Sequence, residues 1–124
     1  MKEVIATKNA PGAVDPYVQA TKLNNLVLCS GQLGIDVATG KMPETVEEQA
    51  HCSMKNMGAI LAEAGSDYSK VLKTTIFLAD MNDFAKVNEI YKSYFGTEFP
   101  ACSCVQVAKL PLGGLVEVEC IAYV

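Results

Sequence analysis

Two stretches of the chain carry the three- and four-residue apolar spacing of amphipathic helices. In the first, Thr45 and Glu48 have the spacing of a capping box, in which the hydroxyl and the carboxylate each accept a free backbone N–H. One apolar stripe follows and ends before Gly65, which tolerates the left-handed turn that terminates many helices. The stripe consists of Val46, Ala50, Met54, Met57, Leu61 and Ala64.

The second amphipathic stretch predicts a helix from Asn82 or Asp83 to Tyr94 or Phe95. Its apolar positions again recur at helical spacing, so we expect them to face inward. They are Phe84, Val87, Tyr91 and Tyr94. Gly96 follows the stretch, and we expect it to close the helix.

The remaining apolar and alternating segments predict β-strands over residues 17–23, 26–30, 71–79, 101–108 and 115–124, with a short strand around residues 4–7. Asn24-Asn25 accepts the positive φ angles of a tight hairpin. The order β-β-β-α-β-α-β-β predicts an α+β two-layer sandwich, in which one mixed sheet carries two helices on one face. No linker or repeat interrupts the pattern, so residues 1–124 are expected to form one domain.

The last predicted strand separates its residues into two faces. One face is wholly apolar and is expected to lie under the helices: Val116, Val118, Cys120, Ala122 and Val124. The other mixes carboxylates with large apolar groups and suits a subunit interface that holds a polar pocket: Leu115, Glu117, Glu119, Ile121 and Tyr123. In the preceding strand, Cys102, Cys104 and Gln106 share a face, which we expect to point away from the helices.

Composition narrows the possible partners and the compartment. Half of the residues are hydrophobic, yet no apolar run approaches the ~18 residues of a membrane helix, so we expect no membrane partner and favour an oligomer. The net charge is −4, and the ten lysines are scattered without any arginine, which argues against nucleic acid. The N-terminus lacks the apolar core of a signal peptide, and five cysteines without disulfide-like spacing suit a reducing compartment. We therefore expect a cytoplasmic protein.

Motifs for metal or nucleophilic chemistry are weak. Cys102 and Cys104 form a Cys-x-Cys pair, but a closed zinc site needs two further ligands, and only His51-Cys52 could supply them. We expect no metal. His51 is the only histidine, which argues against a Ser-His-Asp triad, and it is expected to face solvent. The Gly-Gln-Leu-Gly at residues 31–34 lacks the Lys and Ser/Thr of a phosphate-binding loop.

Five consecutive segments resemble signatures of the YjgF/Rid (reactive intermediate deaminase) family: APGAVDPYVQA (10–20), SGQLGIDVATG (30–40), EEQAHCSMKNMGAILAEAG (47–65), VLKTTIFLADMNDFAKVNEIY (71–91) and PACSCVQVAKLPLGGLVEVECIAYV (100–124). The resemblance covers nearly the whole chain in order. It implies a chorismate-mutase-like fold, a homotrimer with sites between subunits, and no cofactor. It also implies hydrolysis of reactive 2-imino acids to 2-oxo acids and ammonia, a form of metabolite damage control.

The resemblance also implies roles for single residues. Glu117 matches the glutamate that orients the attacking water and is the predicted catalytic residue, whereas its alternative role is an interface glutamate paired with a lysine. Glu119 is assigned a structural role. The predicted substrate-binding residues are Tyr17, Gly31, Cys104, Asn88 and Tyr91, together with position 102.

Position 102 departs from the family pattern. The Pro-Ala-Arg-Ser of the family reads Pro-Ala-Cys-Ser at residues 100–103, so Cys102 stands where the family arginine grips the substrate carboxylate. A neutral thiol cannot form that two-pronged charged contact. The Gly-Pro-Tyr-Ser of the family also reads Asp-Pro-Tyr-Val at residues 15–18. Asp15 therefore adds negative charge near the cleft, and Val18 lacks the hydroxyl of the family serine. We expect a weakened or altered activity, unless Lys109 or another lysine reaches the site.

Three other functions remain open at this point. A non-catalytic metabolite-binding or regulatory protein could use the same cleft, and the missing arginine favours it. Some family members carry a ribonuclease or translation-inhibitor label, but the acidic charge and the lack of arginine argue against RNA as a partner. For chaperone-like holding, nothing in the sequence is specific.

Overall fold

The computed structural model describes residues 1–124 and contains one six-stranded sheet with two helices. The strands are β1 (Glu3–Ile5), β2 (Ala20–Leu23), β3 (Leu26–Leu33), β4 (Val71–Leu78), β5 (Ala101–Gln106) and β6 (Val116–Tyr123). Helix α1 (Val46–Glu63) follows β3, and helix α2 (Phe84–Lys92) connects β4 to β5. The predicted order of elements and the α+β class are confirmed.

The strand order across the sheet is β1-β2-β3-β6-β4-β5. Every neighbouring pair is antiparallel except β4 and β5, which run parallel and are joined by α2. Parallel neighbours need such a crossover, because a tight turn cannot return the chain to the same end of the sheet. Strand β5 is therefore an edge strand, with α2 beside it.

The core lies between the sheet and α1. Met54, Met57, Ile60 and Leu61 of α1 are almost fully buried against residues 116–122 of β6 and their neighbours on β3 and β4. Val116, Val118, Cys120 and Ala122 are all buried, as their alternation predicts. The sheet therefore has a helix face and, opposite it, a face without helices that we call the open face.

The start of α1 matches its sequence signal with one difference. Thr45 Oγ1 accepts the backbone N–H of Glu48 at 3.1 Å, as in a capping box. The Glu48 carboxylate, however, accepts the hydroxyl proton of Thr45 at 2.8 Å, so the two side chains bond to each other. Gly65 has a φ of +85° just after the helix, as expected for the left-handed turn.

Helix α2 is shorter than predicted at both ends. A single 3-10 turn, Met81–Asp83, precedes it, with the Asp80 carboxylate accepting the N–H of Asn82 at 2.9 Å. After Lys92 the backbone bonds tighten to i→i−3 turns as far as Phe95, so the helix ends before Gly96 is reached. The prediction that Phe84 faces inward is wrong, since 40% of its surface stays exposed.

The orientation predicted for β5 is also wrong. The parallel register places Cys102 beside Thr74 and Cys104 beside Ile76, and both of these β4 residues are buried on the helix face. Neighbouring strands share their alternation, so Cys102 and Cys104 face the helices too. The prediction for β2 is too long as well: Tyr17 lies in the loop that precedes the strand, which begins at Ala20.

Neither helix combines the length and the apolar character needed to span a lipid bilayer.

Candidate functional site

A pocket of about 650 Å³ lies on the open face, and we call it the acidic pocket. Three carboxylates line it, those of Asp15, Glu117 and Glu119, and its lining contains no lysine. It also contains two of the predicted binding residues, Tyr17 and Gly31. Three of the predicted site residues therefore lie together.

Glu117 is the half-buried carboxylate of this pocket. It sits on β6 beside Phe77 of β4, which also lines the pocket. Burial raises the pKa of Glu117, because a charge is less stable away from water, and the negative charge of Glu119 raises that pKa further. A carboxylate with a raised pKa is a stronger base when it is ionised.

Gly31 brings backbone close to that carboxylate. In β3 the register shifts between Cys29 and Gln32, so Ser30 and Gly31 together oppose Glu119 of β6 as a β-bulge. A Cβ added to Gly31 would lie 2.8 Å from the Glu117 carboxyl carbon. Any larger residue would therefore push the carboxylate out of position.

Gln19 holds the loop that carries Tyr17. Its buried side-chain amide donates to the carbonyl of Pro11 at 2.8 Å, and its carbonyl accepts the N–H of Thr7 at 2.6 Å. The Ser30 hydroxyl also donates to the carbonyl of Val18 at 2.6 Å. These bonds attach an irregular segment to β3, which explains how a loop can form a stable pocket wall. Sequence reasoning did not identify Gln19.

A second pocket, of about 620 Å³, lies between α2 and β5 on the helix face; we call it the lysine pocket. It contains the other four predicted binding residues: Asn88, Tyr91, Cys102 and Cys104. Lys92 also lines it and is its only Lys, Arg, His, Asp or Glu side chain. The pocket is otherwise apolar, with Phe84 and Phe99 among its walls.

The inner end of the lysine pocket is held by a buried hydrogen bond. The hydroxyls of Tyr91 and Thr74 lie 2.6 Å apart. Burial raises the pKa of Tyr91 well above its ordinary value, so the phenol stays protonated. Burial also raises the pKa of the Cys104 thiol, followed by the effect of Cys102 beside it. These groups are polar but uncharged at neutral pH.

Lys92 was not singled out from the sequence, although its spacing contained the signal. Phe84, Asn88 and Lys92 follow one another at four-residue steps, which places them in one column along a helix. All three line the lysine pocket. Lys109, the lysine considered first, lines neither pocket.

The sheet separates the two groups of predicted residues. Tyr17, Gly31 and Glu117 lie on the open face, whereas Cys102 and Cys104 lie on the helix face. A single chain therefore does not bring all of the predicted site residues together. Their individual roles stay predictions. No three His, Cys, Asp or Glu side chains are grouped closely enough to hold a metal ion.

Together these features describe a small α+β protein with two metabolite-sized pockets on opposite sides of one sheet. The family described as Endoribonuclease L-PSP matches residues 7–124. The chain belongs to this family, which is also called YjgF/Rid.

Individual relatives agree with that assignment. The chain is 56% identical to Reactive Intermediate Deaminase A, chloroplastic, of Arabidopsis thaliana, over 98% of this chain and 65% of that protein, so it spans about two-thirds of that relative's length. It is 49% identical to the 2-iminobutanoate/2-iminopropanoate deaminase of Mus musculus, over 98% and 91%. The crystal structure of E. coli TdcF with bound serine superposes with a TM-score of 0.95 at 42% identity, covering 98% of each chain.

Proposed function

We propose that the chain is a deaminase that hydrolyses small 2-imino acids, such as 2-iminobutanoate, to 2-oxo acids and ammonia. The observation that carries this proposal is Glu117, a half-buried carboxylate with a raised pKa in a metabolite-sized pocket. A general base works best when the pKa of its conjugate acid approaches the working pH. The names of the relatives supply the substrate class.

The proposed reaction needs one base and one water. The Glu117 carboxylate takes a proton from water as its oxygen attacks the carbon of the protonated C=N bond, forming a C–O bond while the C=N electron pair moves to nitrogen. The proton on Glu117 then passes to that nitrogen. The C–N bond breaks, ammonia leaves with the bonding pair, and the hydroxyl proton passes to the Glu117 carboxylate, which is ionised again, to give the ketone. The acidic pocket favours this course, since its three carboxylates stabilise a cationic iminium.

The proposal places the working site between copies of the chain, in a homotrimer. The substrate has a carboxylate that the acidic pocket repels, so a cation from elsewhere must hold it. A second copy on the open face could bring its lysine pocket against the acidic pocket of the first. Apolar residues that are nearly half exposed on the open face support this docking: Leu23, Leu26, Leu28, Val105 and Tyr123.

The bound serine of the E. coli TdcF structure supports a ligand of the same kind. Serine combines a carboxylate with a nitrogen on the adjacent carbon, as a 2-imino acid does. The ligands proposed for this chain are therefore small 2-imino acids and their 2-oxo acid products, with no nucleic acid, no membrane and no cofactor in the reaction. The proposed compartment is the cytoplasm.

Activity is proposed to be weakened by Cys102. An arginine there would hold a carboxylate through two parallel charged hydrogen bonds, which a thiol cannot form. We propose testing hydrolysis of 2-iminobutanoate, made in the assay by a threonine dehydratase, with wild type, Cys102→Arg and the uncharged control Cys102→Ser. A charged hydrogen bond contributes about 1.5–3 kcal/mol, so Cys102→Arg should raise kcat/KM roughly ten- to a hundredfold.

Hydrolysis by wild type above the rate in buffer, a gain with Cys102→Arg and none with Cys102→Ser would support the proposal. If wild type and Cys102→Arg are both properly folded and trimeric, and neither accelerates hydrolysis, the proposal is rejected. The variants also show whether position 102 contacts the substrate, because a surface arginine elsewhere would change neither kcat nor KM.

A second candidate is a metabolite-binding protein without turnover, and Cys102 is the specific observation that favours it. It would use the same pockets to bind a 2-oxo acid. A rise in melting temperature with 2-oxobutanoate, together with no hydrolysis of the imine, would favour this candidate over the deaminase.

A further inference from the structure

The charges of the two pockets are unequal. The acidic pocket contains three carboxylates and no lysine, whereas the lysine pocket contains one lysine and no carboxylate. The whole chain lacks arginine. Lys92 is thus the one cationic side chain that lines either pocket. Among the residues that line these two pockets, an anionic group has only this cation to bind.

Lys92 is also placed to act inside its pocket. It lies in the last turn of α2, one turn beyond Asn88, and helical side chains lean back over the preceding turn. Lys92 and Asn88 therefore lie next to each other along one wall of the pocket. The Asn88 amide adds a neutral hydrogen-bond donor on the same side.

The Lys92 ammonium has no partner within the chain. Lys22 donates to the carbonyl of Ala64 at 3.3 Å, and Lys73 donates to the Ser103 hydroxyl at 2.8 Å, whereas Lys92 makes no such bond. Lys92 is exposed and lines a mostly apolar pocket without a carboxylate, so its ammonium is available to an incoming anion. Its pocket neighbours Tyr91 and Cys104 are uncharged and do not compete for it.

We propose that Lys92 binds the carboxylate of the 2-imino or 2-oxo acid, and so determines the specificity of the site for anionic substrates. This inference rests on the proposed function for its substrate class. Lysine is a single point of charge on a flexible stem and does not offer the two-pronged geometry of arginine. It would therefore hold the carboxylate, but less tightly than an arginine at position 102.

The test compares Lys92→Met, which keeps most of the length of the side chain and removes its charge, with Lys92→Arg and with the control Lys86→Met. Lys86 is exposed on the same helix and lines neither pocket. Loss of a charged hydrogen bond should raise the KM of Lys92→Met for 2-iminobutanoate roughly ten- to a hundredfold. Because ground state and transition state share this contact, kcat should stay within about threefold.

Binding is measured separately by calorimetry. Lys92→Met should weaken binding of 2-oxobutanoate by the same factor and leave binding of the neutral 2-oxobutanamide unchanged. Lys92→Arg should preserve affinity, and adding Cys102→Arg to Lys92→Met should restore it. If Lys92 only stabilised the end of α2, Lys92→Met would lower the melting temperature but would not separate the acid from the amide in binding.

The possible failures can be told apart. If wild type hydrolyses the imine and Lys92→Met has an unchanged KM, the role of Lys92 is wrong and the deaminase proposal stands. If wild type binds 2-oxobutanoate without hydrolysis, the deaminase proposal fails, and calorimetry of Lys92→Met still decides the role of Lys92. If wild type neither binds nor hydrolyses, both proposals are wrong.

Discussion

The two pockets differ in what holds them as well as in charge. The acidic pocket is built on β3, β4 and β6 in the middle of the sheet, and Glu117 has a strand on each side of it. The lysine pocket lies at the sheet edge, between α2 and β5, and every residue of β5 except Cys104 is exposed. The acidic pocket is fixed by hydrogen-bonded strands on both sides of Glu117. The lysine pocket depends on the position of a short helix, α2, relative to the edge of the sheet.

This difference indicates which part of the site is free to vary. A base must be held within tenths of an ångström of the reacting carbon, and the middle of a sheet provides that precision. A carboxylate can be held by any cation within reach of the same spot, from either β5 or α2. Cys102 and Lys92 illustrate this freedom, since a cation absent from the strand is present on the facing helix.

Replacing Glu117 with Gln should have the largest effect on activity. The amide keeps the size of the side chain but cannot take a proton from water, so kcat should fall by roughly 10²–10⁴. The measurement is turnover of 2-iminobutanoate at saturating concentration, after confirming an unchanged melting curve. Binding of 2-oxobutanoate should change little, because that contact belongs to the lysine pocket.

Glu119→Gln is the matched control for that experiment. Glu119 lies two residues along β6 and lines the same pocket, but it is exposed. Replacing it with Gln should leave kcat within about tenfold, since Glu119 transfers no proton and supplies only one of the pocket's three negative charges. Equal losses for both variants would mean that the pocket needs negative charge in general, and that Glu117 is not the specific base.

The sequence indicated the acidic pocket more reliably than the lysine pocket, for a physical reason. The alternation along residues 116–124 assigns each side chain of β6 to a face, because one set is wholly apolar and the other contains Glu117 and Glu119. Along β5 the pattern Ala-Cys-Ser-Cys-Val-Gln shows no such contrast, since small residues fit either face. Its orientation is decided by the parallel register with β4, a long-range pairing that local patterns do not encode.

The same limit explains why Lys92 was missed. Helical spacing places it in a column with Phe84 and Asn88, but the sequence does not show which edge of the sheet that column faces. Once β5 lies beside β4, Lys92 of α2 and Cys102 of β5 line the same pocket at that edge. The role predicted for Glu117 came from the family resemblance. Gln19 was missed because its hydrogen bonds join segments that no periodic pattern links.

Mixing two defective variants would test whether the pockets act from different copies. In Glu117→Gln the lysine pocket is intact, and in Lys92→Met the acidic pocket is intact. If a site takes one pocket from each of two neighbours, random mixed trimers have both intact pockets in about a quarter of their sites. Co-expression of the two variants should therefore recover about a quarter of the wild-type kcat/KM, well above either parent.

The control for mixing is a blend of the two separately purified variants without subunit exchange, which should give only the average of the parents. Co-expressed mixed trimers that also give only that average would contradict a shared site. In that case Glu117 and Lys92 would act within one chain or not at all, and the arrangement proposed between copies would be wrong.

The smallest expected effect is a shift in pH dependence that separates the two causes acting on Glu117. Its raised pKa comes first from burial and second from Glu119. A base works only when ionised, so kcat/KM should rise with pH through that pKa, at higher pH than an ordinary glutamate would give. Glu119→Gln removes the second cause, so the midpoint should move to lower pH, while Glu119→Asp should stay near wild type because it keeps the charge. Rates are measured in excess threonine dehydratase, with the buffer rate subtracted at each pH. A midpoint that does not move in Glu119→Gln would show that Glu119 does not act on Glu117 through repulsion, and that burial alone sets the strength of the base.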